Sequence, residues 1–216
     1  MLNTIPLFQN LNDIQLASIG AHMALRVVEK GEFVVRAGDK ATSLYIIVAG
    51  SVKVVSADPD NPAHEVILKL LRPGEFFGEM PMFDKEAHGV SVVTLERCHF
   101  QELSYRAFEK AIIASPEIAQ RVMVTMAGRL RAANRKIGNL ALLDISSRVA
   151  RTLLELAIMS NGRRVVGEQF TQKDLANMIG ASREMVNRTL HDLQNDGFIE
   201  IHRRSITILK EDMRVN

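Results

Sequence analysis

Near Ser104 the hydrophobic period of the chain changes from about two to about 3.6, so a β-built part is followed by a helical one. From Arg26 to about Leu103, short apolar runs at 33–35, 44–48 and 52–55 are rich in β-branched and aromatic residues. Gly31, Gly38-Asp39, Gly50, Pro73-Gly74 and Gly78 punctuate them as turns. Further strands are predicted at 65–71, 90–95 and 99–103. Strands this close together, with no helices between them, predict a barrel or roll and not a parallel sheet. The first 25 residues read as short helices, with Leu11, Ile14, Leu16 and Ile19 packing on a domain edge.

Beyond Ser104, Pro116 suits the first turn of a helix capped by Ser115. Apolar residues recur at Ile118, Val122, Met126, Leu130, Ala133, Ile137 and Leu140, and Arg121, Arg131, Arg135 and Lys136 occupy the opposite side. A helix of more than about twenty residues, roughly 35 Å long, outruns the core of a small domain. Its stripe therefore reads as a two-fold dimer seam, against the alternative that it packs along its own barrel. A second amphipathic helix is predicted over 144–158, broken by Asn161-Gly162.

The segment 171–191 carries the most local information. Thr171 is a good N-cap and Asp174, three residues on, completes a capping box. Leu175, Ala176 and Ile179 face inward, Gly180 supplies a left-handed turn, and Ser182 caps a second helix that buries Val186, Leu190 and Leu193. Helix, three-residue turn and capped helix make a helix-turn-helix. Arg183, Glu184, Asn187, Arg188 and His191 remain for its outward face. A guanidinium fork matches guanine O6 and N7, and a carboxylate accepts from cytosine N4. The stretch 197–208 reads as a hairpin with Arg203 and Arg204 at its tip, a wing suited to phosphates. The alternative for this region is a solvated helical hairpin with ordinary surface charge.

Composition removes other classes. The formal net charge is only +2, and residues 171–204 hold five basic and five acidic side chains, so charge placement carries the DNA argument. One cysteine, Cys98, excludes an intramolecular disulfide and any four-cysteine zinc or iron–sulfur site within one chain, which fits a reducing cytoplasm. No apolar run of membrane-spanning length occurs, and MLNTIPLFQN lacks the features of a secretion signal, so no membrane partner is expected. A β-roll enzyme of cupin type needs clustered histidine ligands, whereas His22, His64, His88, His99, His191 and His202 are scattered. No Walker-type loop or nucleophile elbow occurs, and the chain is not read as an enzyme.

The order of these motifs resembles the catabolite activator (CRP/FNR) family of bacterial regulators over nearly the full chain. The resemblance rests on Gly31…Gly38-Asp39, the strand and turn at 44–50, Gly74-Glu75-Phe76-Phe77-Gly78-Glu79, and residues 140–156. Its most specific part is Ser182-Arg183-Glu184-Met185-Val186-Asn187-Arg188. It implies an α+β chain with an effector-binding β-roll of the cyclic-nucleotide-binding type over 1–114. A dimerisation helix over 115–140 and a DNA-binding winged helix-turn-helix over 141–216 would follow. Thr171, Arg183, Glu184, Asn187, Arg188, Arg203 and Arg204 are the candidate DNA contacts, and the resemblance implies a TGTGA-like palindrome with half-sites about 34 Å apart. Double-stranded DNA, a second copy of the chain and RNA polymerase are the implied partners.

The candidate effector contacts are Gly78, Glu79, Met80, His88, Gly89, Arg129, Ala133 and Asn134. Gly78-Glu79 matches the Gly-Glu motif that holds ribose in cAMP-binding members of the family. Where those members place an Arg-Ser pair for the phosphate, this chain has His88-Gly89. Arg129 matches a ligand-facing position, and Ala133-Asn134 stands where that subtype has hydroxyls. No cofactor is fixed by the residues; cAMP, another nucleotide such as cyclic di-GMP, and a different effector or none all stay open. Iron–sulfur sensing by a cluster held within one chain is excluded by the single cysteine. Cys98 and His99, which invite a haem reading together with His88, are read as a strand core residue and its outward neighbour. A cyclic-nucleotide-binding module acting on a protein partner is the alternative function.

Overall fold

The structure, a computed structural model, describes residues 2–58, 60, 61, 64–167, 170–202 and 205–210. The chain divides into two compact units, Met1–Arg131 and Ala132–Asn216, and the division falls inside one long helix.

The first unit begins with two 3-10 turns, Leu2–Thr4 and Pro6–Phe8, and α1 (Asp13–Gly20). Eight strands follow: β1 (Met23–Val28), β2 (Phe33–Val35), β3 (Ser43–Ala49), β4 (Val52–Ala57), β5 (Glu65–Leu71), β6 (Phe76–Phe77), β7 (Ser91–Thr94) and β8 (Cys98–Ser104). A short α2 (Met80–Asp84) lies between β6 and β7, and α3 (Tyr105–Ala114) follows β8 with its N-terminus capped by the Ser104 hydroxyl. The strands form two antiparallel sheets, ordered β1-β8-β3-β6 and β2-β7-β4-β5, which is the expected roll. Alternation along β3 explains the unbroken burial of residues 43–47. Tyr45 and Ile47 enter a core with Val52, Phe77, Val92 and Phe100, while Leu44 and Ile46 enter a second with Phe8, Phe108, Ile118 and Val122. Tyr45 stacks on Phe77 at 5.2 Å between centroids, with Phe100 edge-on to both.

Three local expectations change. β1 begins at Met23, inside the stretch read as helical, because its period-two pairing with β8 outweighs local helical spacing. Ile14 faces solvent, whereas Ile19 is in the core. The strands are also interrupted by α2, so the roll is not free of helices.

The long helix α4 spans Glu117–Leu142, 26 residues, or about 39 Å. Ser115 does not cap it with its side chain: that hydroxyl accepts from Gln15 Nε2 at 2.7 Å, and its carbonyl takes the Ile118 N–H. The apolar stripe divides along its length. Ile118 and Val122 are buried in the roll's own core with Met126 packed against them, whereas Met123, Val124, Leu130 and Ile137 are each more than 60% exposed. The packing alternative therefore describes the first turns of α4, and the apolar residues farther along the helix are exposed.

In the second unit α5 (Ile145–Leu156) is capped by Asp144, which accepts from Ser147 N, and buries Val149, Ala150, Leu153 and Leu156. It ends before Ile158. β9 (Ile158–Ser160) and β10 (Arg163–Val166) form a hairpin, and Asn161-Gly162 at its turn take φ of 50° and 75°, as a tight hairpin turn requires. Next come α6 (Gln172–Ile179), α7 (Arg183–Asn195), β11 (Ile199–His202) and β12 (Ser205–Ile208). The sheet order is β11-β12-β10-β9, and α5, α6 and α7 pack on one another. No described helix is long and apolar enough to cross a membrane.

Candidate functional site

In the first unit the turn after β6 is held by close packing. Gly78 has φ +88°, and a Cβ there would lie 2.8 Å from the Ser43 carbonyl oxygen, so any side chain would collide with backbone. The Tyr105 hydroxyl donates to the Gly78 carbonyl. These contacts carry Glu79 inward until it is 1% exposed. Its Oε1 lies 2.5 Å from Arg129 Nη1, Arg129 Nη2 donates to the Phe76 carbonyl, and the guanidinium sits 5.0 Å from the Phe76 ring centroid. Glu79 Oε2 and Arg129 Nε are buried without a hydrogen-bond partner. Burial raises the Glu79 pKa and the Arg129 charge opposes it. Burial, with Glu79 adding to it, pushes Tyr105 up to about 12, so that phenol stays a donor.

His88 is buried beside this turn, its Cε1 3.8 Å from the Cβ position at Gly78. Its backbone is pinned by Gly38 N donating to the His88 carbonyl and by His88 N donating to the Asp39 carbonyl. Burial lowers its pKa and Asp39 partly restores it, so the ring favours the neutral form. Gly78, Glu79, His88 and Arg129 thus come together. Met80, in the first turn of α2, and Gly89, with open space where a Cβ would stand, are exposed. Ala133 and Asn134 are exposed positions of α4 within the second unit. Phe76 and Tyr105 were missed from sequence: their partners lie 53 and 27 residues away, and no local pattern encodes such pairs. Cys98 is buried and His99 half-buried on β8, as expected, and no group of residues able to hold a metal occurs among the described residues.

In the second unit the predicted capping box is formed: Thr171 Oγ1 accepts from Asp174 N at 3.1 Å, and Asp174 Oδ2 accepts from Thr171 N at 3.0 Å. Gly180 ends α6 at φ 65° and ψ 49°, a left-handed conformation that β-carbons disfavour. Ser182 accepts from Met185 N at 3.2 Å and starts α7. Val186, Thr189, Leu190 and Leu193 are buried, leaving Arg183, Glu184, Asn187, Arg188 and His191 exposed. Glu184 is held below the usual carboxylate range by its own backbone N–H and then by the Ser182 hydroxyl. It is therefore an ionised acceptor between two arginines.

Two supporting residues escaped the sequence reading. Arg148 Nη1 donates to the Ile179 carbonyl at 2.9 Å, closing the C-terminal end of α6 from α5, and Gln172 Nε2 donates to Asn187 Oδ1 at 3.0 Å, bridging α6 and α7. Arg203 and Arg204 lie outside the described residues; His202 and Ser205, which flank them, are paired across β11 and β12 as the wing requires.

Comparison with known proteins agrees with both halves. Residues 25–115 match the family described as cyclic nucleotide-binding domain, and residues 147–213 match the Crp-like helix-turn-helix domain. The cAMP-activated global transcriptional regulator CRP of Pasteurella multocida is 34% identical over 181 residues, covering 81% of this chain and 84% of that protein. The regulator Vfr of Pseudomonas aeruginosa, also named cAMP-activated, is 32% identical over 198 residues, covering 87% and 90%. Among solved structures, the c-di-GMP responsive global regulator CLP of Xanthomonas campestris superimposes with a TM-score of 0.80 at 29% identity, covering 92% of this chain and all of that one. The chain belongs to the CRP/FNR family of DNA-binding transcription regulators, with an N-terminal cyclic nucleotide-binding domain and a C-terminal helix-turn-helix.

Proposed function

We propose that this chain is a homodimeric, sequence-specific regulator in the cytoplasm whose DNA affinity is set by a nucleotide bound at Glu79. The observation that carries the reading is the buried, unpartnered Oε2 of Glu79 beside a paired Oε1. An oxygen in that state costs free energy until a donor reaches it, and a ribose hydroxyl is such a donor. Gly78 and Arg129 frame the sugar, His88 and Gly89 face the phosphate, and Met80 meets the base. Residues 1–114 form the effector domain, 115–140 the dimerisation helix and 141–216 the DNA-binding domain.

The exposed Met123, Val124, Leu130 and Ile137 support a seam with a second copy. Because Arg129 belongs to α4, a ligand at Glu79 acts directly on the helix that leads toward α5 to α7. It shifts the protein only as far as its affinities for two arrangements differ. Arg183, Glu184, Asn187 and Arg188 read bases of a TGTGA-like palindrome, while Thr171, Arg203 and Arg204 grip phosphates. RNA polymerase is the partner through which the bound dimer acts, and no catalytic role is assigned.

A second reading of the effector is favoured by one residue: His88 stands where the cAMP subtype has its phosphate arginine, and it makes a weaker clamp than a guanidinium fork. A cyclic dinucleotide, the ligand class named for the Xanthomonas regulator, is then the effector. Gel-shift assays on a TGTGA-type palindrome with cAMP, cyclic di-GMP or no nucleotide decide the matter. Sequence-specific binding that responds to one nucleotide supports the proposal. Specific binding indifferent to every nucleotide removes Glu79 as an effector site.

A further inference from the structure

Residues 132–142, the last turns of α4, belong to the same compact unit as the helix-turn-helix. Only Leu143 and Asp144 separate α4 from α5, and both are held. The Leu143 N–H donates to the Asn139 carbonyl at 3.0 Å, and Asp144 caps α5 by accepting from Ser147 N at 2.8 Å. Lys136, Asn139 and Leu140 stand three and four residues apart, on one side of α4, and each meets a partner beyond this corner. Asn139 Oδ1 accepts from Arg151 Nη1 of α5 at 2.6 Å. Leu140 Cδ2 lies 3.4 Å from the place a Cβ would take at Gly180, the left-handed residue that ends α6 and opens the turn into α7. Lys136 is partly buried, and the charge of Glu155 on α5 works against the lowering of its pKa by burial. From α5, Arg148 Nη1 holds the Ile179 carbonyl, so the turn before α7 is braced by α4 and by α5 at adjacent residues.

Resting on the proposal that two copies pair along α4, we infer that Leu140 and Arg151 are positioning residues that fix the angle of the helix-turn-helix on α4 and thereby the half-site spacing the dimer accepts. A dimer reads two half-sites at a separation set by the placement of its two recognition helices. One added base pair moves a half-site by about 3.4 Å and turns it by about 35°. A free corner at 143–144 would let each α7 follow its half-site through such a change. A braced corner holds α7 to α4, so a duplex of the wrong spacing must break the Asn139–Arg151 bond or lift Leu140 from Gly180. Neither residue lies on α7, so base preference within a half-site does not depend on them.

The test begins with selection of a preferred duplex from a randomised library by the full-length protein, with cAMP and cyclic di-GMP each supplied and withheld. The two half-sites of that duplex are then reset with the spacer longer or shorter by one and two base pairs, and gel shifts give the affinities. The unaltered protein is expected to favour one spacing. Leu140→Ala and Arg151→Ala each narrow that preference by about 2- to 10-fold, the worth of one such contact. Single-base preferences within a half-site stay as they were. Leu140→Met and Arg151→Lys, which keep the contact, keep the spacing preference. Leu140 is 43% exposed and Arg151 is exposed, so the alanine variants retain the fold. A merely structural role would lower affinity on every spacing alike. A spacing preference that survives either alanine substitution unchanged, or an equal loss on all spacings, overturns the inference and leaves the dimer proposal standing. An unaltered protein that binds a lone half-site as tightly as the pair overturns both.

Discussion

Glu79 and Arg129, fifty residues apart, meet through Oε1 and Nη1 at 2.5 Å, while the other Glu79 oxygen stays buried and unpaired. The pair joins the turn after β6 to α4, so whatever satisfies Oε2 bonds a carboxylate already tied to that helix. Glu79→Ala is expected to remove nucleotide binding in calorimetry with cAMP and with cyclic di-GMP. Breaking a buried pair costs about 3 kcal/mol at most here, because Arg129 keeps the Phe76 carbonyl and part of its side chain reaches solvent. Unchanged binding heat would take Glu79 out of the site.

His88 yields a pH prediction with a definite sign. Its ordinary value is 6.5 and burial lowers it, so the unfolded chain takes up the proton before the folded one does. Stability associated with the neutral ring is present above pH 6.5 and is lost as pH falls from there through the folded value. For one proton the extra slope is at most about 1.4 kcal/mol per pH unit. Urea midpoints followed downward from pH 7.5 should fall more steeply for the unaltered protein than for His88→Gln. Parallel curves would show that the ring titrates in the native state as in water.

The capping chemistry explains why the second unit was so legible in sequence. Thr171, Asp174, Gly180 and Ser182 act on backbone within three residues, and each does in the structure what its local spacing predicted. The roll's strands were legible for a similar reason, since alternation is local. What failed was either ambiguous between periods or long in range. Ile158 closed an apolar helical pattern, yet Asn161-Gly162 was a hairpin signal, and treating it as a helix stop concealed β9 and β10. The α4 stripe is buried at its start and exposed farther along, because a period near 3.6 does not say which neighbour each residue meets. Gln172, Arg148 and Tyr105 act across 15, 31 and 27 residues, where sequence spacing carries no signal.

The buried and exposed residues of α4 give separate predictions for folding and for the proposed association. Leu130 and Ile137 are exposed in the single chain, so Leu130→Glu or Ile137→Glu should change its own stability by about 0.5 kcal/mol or less. Both are expected to halve the mass of the dimer in sedimentation equilibrium. Ile118→Ala, at a fully buried site, should cost about 2–5 kcal/mol in unfolding and leave the seam's chemistry untouched. A Leu130→Glu protein that sediments like the parent places the dimer contact elsewhere.

Arg183 and Arg203 are assigned different work, and that difference is measurable. Arg183 is exposed in the first turn of α7, next to an ionised Glu184 and one turn from Asn187, a place from which a guanidinium fork reaches a base edge. Arg203 belongs by sequence to the segment between β11 and β12, and the proposal gives it a phosphate contact indifferent to the base. Arg183→Ala should lower affinity for the preferred site by about 1–3 kcal/mol and relax the preference at one half-site position. Arg203→Ala should weaken all duplexes evenly and reduce the slope of log affinity against log salt by about one. Competition gel shifts against a panel of single-base variants, repeated at several salt concentrations, read both quantities. If both substitutions produce the same even loss, Arg183 is a phosphate contact as well, and sequence reading must rest on Glu184, Asn187 and Arg188 alone.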